Sequence, residues 1–148
     1  FGLERAKKFS IQTKVFIREQ FRESEEVLQW LKEAEITHIV LAGFLWLIPS
    51  YLIKAFPHRI INIHPALLPK FGGKGMYGMK VHEAVRSSED SQTGITIHEV
   101  DEKYDEGRTL FQAVCDIDQS DTPKEIAEKV QRLEHLHYPR VIEDWITQ

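Results

Sequence analysis

Cysteine is nearly absent from this chain of 148 residues: Cys115 stands alone, so no internal disulfide can form and stability rests on a packed core. A lone thiol suits a reducing compartment, and we expect a cytoplasmic protein. No run approaches the roughly 18 to 20 apolar residues of a membrane span, and no leader pattern opens the sequence, which speaks against a membrane partner. An excess of either charge is missing too. With 19 basic against 23 acidic residues, a formal net charge of -4, there is no basic footprint for nucleic acid. There is no P-loop and no G-x-G-x-x-G after a strand. His38, His58, His82, His98, His135 and His137 do not fall at metal-ligand spacings, and the His135, His137 pair faces apart on a helix. No metal is expected.

What is present is ordinary for one globular domain over residues 1–148, with 42% hydrophobic and 28% charged residues. Apolar residues at Leu3, Ala6 and Phe9 predict a short helix, already under way at Phe1, and Lys14–Ile17 reads as a strand. Ser24 is placed to cap a helix with Val27, Leu28, Leu31 and Ala34 on its apolar side. His38–Ala42 reads as a second strand, and Pro49-Ser50 starts a helix running to about Phe56. Arg59–His64 is a third strand, followed by a proline- and glycine-rich loop over residues 65–75. Met79, His82 and Val85 recur at helical spacing, and Thr93–Val100 and Thr109–Cys115 read as strands joined by an acidic loop. Thr122-Pro123-Lys124-Glu125 is a capping box with proline at the first helical position; Pro139 is expected to kink or divide the helix that follows.

Chemistry concentrates where the third strand ends. Alternation along a strand projects Asn62 and His64 to one face and Ile61 and Ile63 to the other. An amide and an imidazole so paired can aim donors at an oxygen that becomes negative during acyl-type transfer, and His64 can also move a proton near neutral pH. The plain alternative is a turn cap and a satisfied edge histidine. Asp105, in the acidic loop beside Gly107, is the best candidate for a carboxylate partner to His64; the plain alternative there is a solvated hairpin turn. Phe44–Ile48, just after a strand and Gly43, is either core or the wall of a flat apolar pocket at the sheet's carboxyl edge. The stretch Gly72–Gly78 is either a surface loop or a lid.

The run Asn62-Ile63-His64-Pro65-Ala66-Leu67-Leu68-Pro69, with Asp101-Glu102-Lys103-Tyr104-Asp105-Glu106-Gly107 downstream, resembles the folate-dependent formyltransferase family, and the likeness covers the whole chain. It implies an α/β, Rossmann-like domain with a mainly parallel sheet flanked by helices. It implies an enzyme that uses 10-formyltetrahydrofolate as co-substrate to formylate the amine of glycinamide ribonucleotide in purine biosynthesis. Carried over by position, Asn62, His64 and Asp105 are catalytic: Asn62 and protonated His64 stabilise the oxyanion, and Asp105 orients His64 and assists a water relay. Leu45, Trp46, Leu47, Ile48 and Ile53, with Val100 and Asp101 of the closing loop, correspond to the folate pocket; Glu134 and Pro65 correspond to the nucleotide side. The family's opening strand and glycine- and serine-rich phosphate loop have no counterpart after Phe1, so the domain reads as N-terminally incomplete. The rival expectations are members that act on methionyl-tRNA or hydrolyse formyltetrahydrofolate, and a non-catalytic folate- or nucleotide-binding module on the same fold.

Overall fold

The computed structural model describes residues 2–147, which form two compact units divided between Ile36 and Thr37. The first unit is helical. It contains α1 (Gly2–Lys8), α2 (Arg18–Arg22) and α3 (Glu26–Glu33). Phe21, Val27 and Leu28 are its buried residues, and the Phe16 and Phe21 rings stack at 5.4 Å. The strand expected at Lys14–Ile17 is not formed: the segment is irregular and leaves Val15 70% exposed. Its apolar residues match strand spacing, but a strand exists only with a hydrogen-bonded neighbour, and among the described residues none pairs with this segment. Ser24 is not the cap residue of α3 either. Its hydroxyl donates to the Gln20 carbonyl at 3.0 Å and stands 3.4 Å from the Glu26 amide, and Glu25 occupies the cap position.

The second unit holds a four-stranded sheet in the order β1 (Ile39–Leu41), β2 (Ile60–His64), β3 (Gln92–Glu99), β4 (Thr109–Asp116). Helices α4 (Ser50–Ala55), α5 (Met79–Ser87) and α6 (Pro123–Ile146) complete it. The α/β class is as the sequence implies, but the sheet is mixed. β1 runs parallel to β2, whereas β2 with β3 and β3 with β4 are antiparallel, so the expected parallel majority is corrected. The nine residues between β3 and β4 account for that second pair, being too few for the crossover a parallel pair requires; β2 and β3 are joined by the longer segment 65–91, which carries α5, and length does not decide their direction.

Ile61 and Ile97 pack with Tyr138 and Trp145 of α6; Ile95 packs with Val85 of α5 and Ile126 and Val130 of α6. The opposite face of β2 is therefore left to Asn62 and His64, which pair across the ladder with His98 and Thr96. The capping box at the start of α6 forms as read, with the Glu125 amide donating to Thr122 Oγ1 at 3.3 Å and the Thr122 amide to Glu125 Oε2 at 2.8 Å. Pro139 does not divide α6, which continues to Ile146. Tyr138 and Trp145, one on each side of that proline, are buried in the same cluster, so burial outweighs the roughly 3 kcal/mol of an interior proline.

Two residues of β3 fix the turn that follows β2. Thr96 is fully buried, and its hydroxyl donates to the Ala66 carbonyl at 2.7 Å while accepting from the Leu68 amide at 2.9 Å and from Gln112 Nε2 at 2.8 Å. Gly94 lies so close to β4 that a Cβ would overlap the Ala113 carbonyl. Thr96→Val keeps the shape but strands the Leu68 amide and the Ala66 carbonyl. It is expected to cost about 1–3 kcal/mol, read as a melting temperature several degrees lower; an unchanged melting curve would contradict this account of the turn.

Candidate active site

Four side chains meet at the carboxyl end of β2. Asn62 and His98 face one another across the β2–β3 ladder, with Asn62 Nδ2 3.4 Å from His98 Nε2. The same His98 Nε2 is 3.4 Å from Asp105 Oδ1, and the other carboxylate oxygen is 3.5 Å from His64 Nδ1. Asp105 Oδ2 also accepts the Gly73 amide at 2.9 Å. His64 is held at its far nitrogen, Nε2–H donating to the Phe71 carbonyl at 2.8 Å. The strand end thus presents Asn62 and His64, the hairpin loop brings Asp105, and the loop after β2 closes over both with its backbone.

The backbone hydrogen bonds fix the ring tautomers. A carbonyl only accepts, so Nε2 of His64 carries a proton and Nδ1 is the nitrogen that gains or loses one against Asp105. By the same argument His98 Nδ1, 2.8 Å from the Glu99 carbonyl, is protonated and Nε2 faces Asn62 and Asp105. Burial pushes the His64 pKa down; the Asp105 charge and the Phe71 carbonyl pull it back only in part, and it stays below the ordinary histidine value of 6.5. Burial pushes Asp105 up, but His98, the Gly73 amide and the histidine charges outweigh it, so its carboxyl lies below the usual aspartate value and is ionised near neutral pH. A neutral His64 therefore turns a lone pair towards a carboxylate, and one proton on Nδ1 converts that contact into an ion pair. Asp105 sits at φ 57, in the left-handed region. Such a conformation persists at a non-glycine residue only where the surroundings over-determine it; the Gly73 amide holds this carboxylate between His64 and His98.

The three residues assigned from the sequence come together. Sequence reasoning missed His98 as a site residue, although a histidine directly after Ile97, two positions from Thr96 on the same strand face, carried a signal. The Phe71 carbonyl and the Gly73 amide left no signal, because backbone groups have none in a sequence. The expected pocket wall begins where β1 ends, with Leu41 in register with Asn62. Leu45 is 55% exposed there; Trp46, Leu47 and Ile53 are half-buried, and Ile48 at 6% belongs to the core. Val100 and Asp101 are half-buried at the start of the hairpin loop. Pro65 directly follows β2 and is half-buried. Glu134 is half-buried on α6, one turn before Tyr138, whose hydroxyl donates to the Leu41 carbonyl at 2.7 Å; burial raises the Glu134 carboxyl above the usual glutamate value. His82 is buried on α5 with Nδ1 lacking a protein partner, and its pKa is lowered by burial and then by His64. Among the described residues no group of three or more His, Cys, Asp or Glu side chains is placed to hold a metal ion.

The formyl transferase family model matches residues 1–142. The chain is 44% identical over 146 residues to the chloroplastic phosphoribosylglycinamide formyltransferase of Arabidopsis thaliana, covering 95% of this chain and 50% of that protein. It is 35% identical over 144 residues to the phosphoribosylglycinamide formyltransferase of Bacillus subtilis, covering 95% of this chain and 71% of that one. Among solved structures, the phosphoribosylglycinamide formyltransferase of Bacillus halodurans superposes with a TM-score of 0.86 at 34% identity, covering 99% of this chain and 75% of that chain. The chain thus spans half the length of the plant relative.

The depressed His64 pKa has a defined sign. The unfolded chain takes up this proton near 6.5 and the folded chain only at lower pH, so His64 makes stability fall as pH drops from 6.5 towards its folded pKa and adds no slope below it. A histidine-resolved NMR titration is expected to place the His64 midpoint below 6.5, with the proton on Nε2 in the neutral form. A midpoint at or above 6.5, or an Nδ1–H neutral form, would contradict the geometry described.

Proposed function

The chain belongs to the formyl transferase family, and we propose that it takes part in transferring a formyl group from 10-formyltetrahydrofolate to the amine of glycinamide ribonucleotide in purine biosynthesis. The observation that carries this reading is the linked set Asn62, His98, Asp105 and His64 at one strand end. The substrate reading is supported by the plant and two Bacillus relatives above, each a phosphoribosylglycinamide formyltransferase.

The formyl donor supplies the one-carbon group, and the remaining tasks fall to the chain. Leu45, Trp46 and Leu47, apolar and open or half-open in the segment after Leu41, the residue in register with Asn62, suit a flat heteroaromatic ring, together with the half-buried Ile53, the buried Ile48, and Val100 and Asp101 at the start of the hairpin loop. Asn62 donates its amide N–H to the formyl oxygen as charge develops there. His98 meets Asn62 at Nδ2 and so orients that amide. His64 Nδ1 and Asp105 form the proton-handling pair: the proton leaving the attacking amine, carried by water, reaches Nδ1, the carboxylate stabilises the imidazolium, and the proton returns through water to the folate nitrogen as its bond to the formyl carbon breaks. For His64 to donate to the formyl oxygen instead, it must leave Phe71 or Asp105, since both ring nitrogens are engaged. Glu134 and Pro65 serve the nucleotide side. The lone Cys115 supports a reducing compartment such as the cytoplasm, and no helix among the described residues is long and apolar enough to cross a membrane.

The test follows 10-formyltetrahydrofolate consumption by the intact protein with and without glycinamide ribonucleotide. Consumption that requires the nucleotide is expected; formate release without it would favour a hydrolase and overturn the assignment. In the same assay Asn62→Ala is expected to lose about 10²- to 10³-fold in kcat, the size of losing one oxyanion donor. His64→Ala is expected to lose about 10²- to 10⁴-fold, the contribution of a positioned acid–base group. A loss smaller than about threefold in both would remove this mechanism.

A further inference from the structure

Glu99, the last residue of β3, is a buried carboxylate at 7% exposure, and a charge there is tolerated only with partners. It has two. Arg108 Nη2 donates to Oε1, and His58 Nδ1 lies 3.1 Å from Oε2. Both side chains reach in from the surface, Arg108 at 70% and His58 at 84% exposure. Burial pushes the Glu99 carboxyl up; Arg108 and then His58 outweigh it and hold it below the usual glutamate value.

The backbone of Glu99 closes the same place. Its amide donates to the Arg108 carbonyl at 2.9 Å, and its carbonyl accepts His98 Nδ1–H at 2.8 Å. Gly107 packs against that carbonyl so closely that a Cβ would overlap it. The next amide, of Val100, donates to the Ile60 carbonyl of β2 at 2.9 Å. Residues 100–107, and Asp105 with them, therefore hang between two ends that Glu99 joins. His58, which itself sits at φ 58 ahead of β2, ties this junction to the segment that leads into the strand bearing Asn62 and His64.

We propose that Glu99 is a positioning residue for the reaction: by gripping Arg108 on one side and His58 on the other, its carboxylate holds the base of the 100–108 loop so that Asp105 meets His64 and His98. This rests on the reading of Asp105 as a site residue, but the hold on the loop is a separate claim. Without the carboxylate, Arg108 and His58 turn to water at no cost in burial, while the backbone bonds of Glu99 remain. The loss falls on the placing of the loop rather than on the fold.

Glu99→Gln, Arg108→Gln, the double variant and Arg108→Lys of the intact protein separate these possibilities. Amide hydrogen exchange in residues 101–107 is read alongside kcat and KM. Each single glutamine variant is expected to speed exchange in that loop about tenfold, with β2 and β3 unchanged, and to lower kcat about tenfold while KM for the amine substrate stays within about twofold. The double variant is expected to be no worse than Glu99→Gln, because Glu99→Gln already cuts the contact that Arg108→Gln removes, and Arg108→Lys is expected to recover most of the loss. Unchanged loop exchange, exchange rising equally through β2 and β3, faster loop exchange with kcat untouched, or losses that multiply in the double variant would each overturn the proposal. If the unmodified protein transfers no formyl group, the functional reading fails, and the exchange data alone then decide whether Glu99 holds the loop.

Discussion

The carboxylate of Asp105 is the constraint on which the site depends. It is half-buried on a loop, in a backbone conformation that a side chain disfavours, and it is held there by the Gly73 amide, with His98 and His64 close on the same carboxylate. Each partner comes from a different element: the loop after β2, the middle of the sheet and the end of β2. The negative charge is thus the point at which three separate stretches of chain agree on one geometry. Removing it leaves two buried imidazoles and a backbone amide facing an empty position.

Burial and pairing pull in opposite directions at this centre, and the outcome differs between its members. For His64 burial wins, so the resting ring is neutral, with its reactive nitrogen aimed at a carboxylate. For Asp105 pairing wins, so the carboxylate stays ionised. A neutral base beside a fixed anion is ready to accept a proton and then stabilise it, which is what loss of a proton from an attacking amine requires. Thr96 supports this from beneath, because its hydroxyl ties Ala66 and Leu68 directly after the strand that presents His64.

Much of this was legible in the sequence where local chemistry decides the structure. The apolar run ending at His64, the capping box at Thr122 and the helix at Met79–Val85 carry their own signals, and each forms. Asn62, His64 and Asp105 were legible as candidates from side-chain type and position, and from the family resemblance. What escaped the sequence depends on distant partners. Lys14–Ile17 has strand spacing but, among the described residues, no neighbour to pair with. The antiparallel pairing of β3 with β4 follows from a short connection rather than from the strand residues themselves. Pro139 breaks a local rule that burial of Tyr138 and Trp145 overrides. His98 and the backbone groups of Phe71 and Gly73 gain meaning only once register and loop closure bring them to Asp105.

The central claim is that the Asp105 charge, through His64, carries the proton-transfer step. Its most direct test is single-turnover formyl transfer by Asp105→Asn, which keeps the size and one accepting oxygen but removes the charge. The account predicts a rate about 10²- to 10⁴-fold slower, with folate affinity within about threefold of the unaltered protein. A rate within about threefold in the folded variant would contradict it.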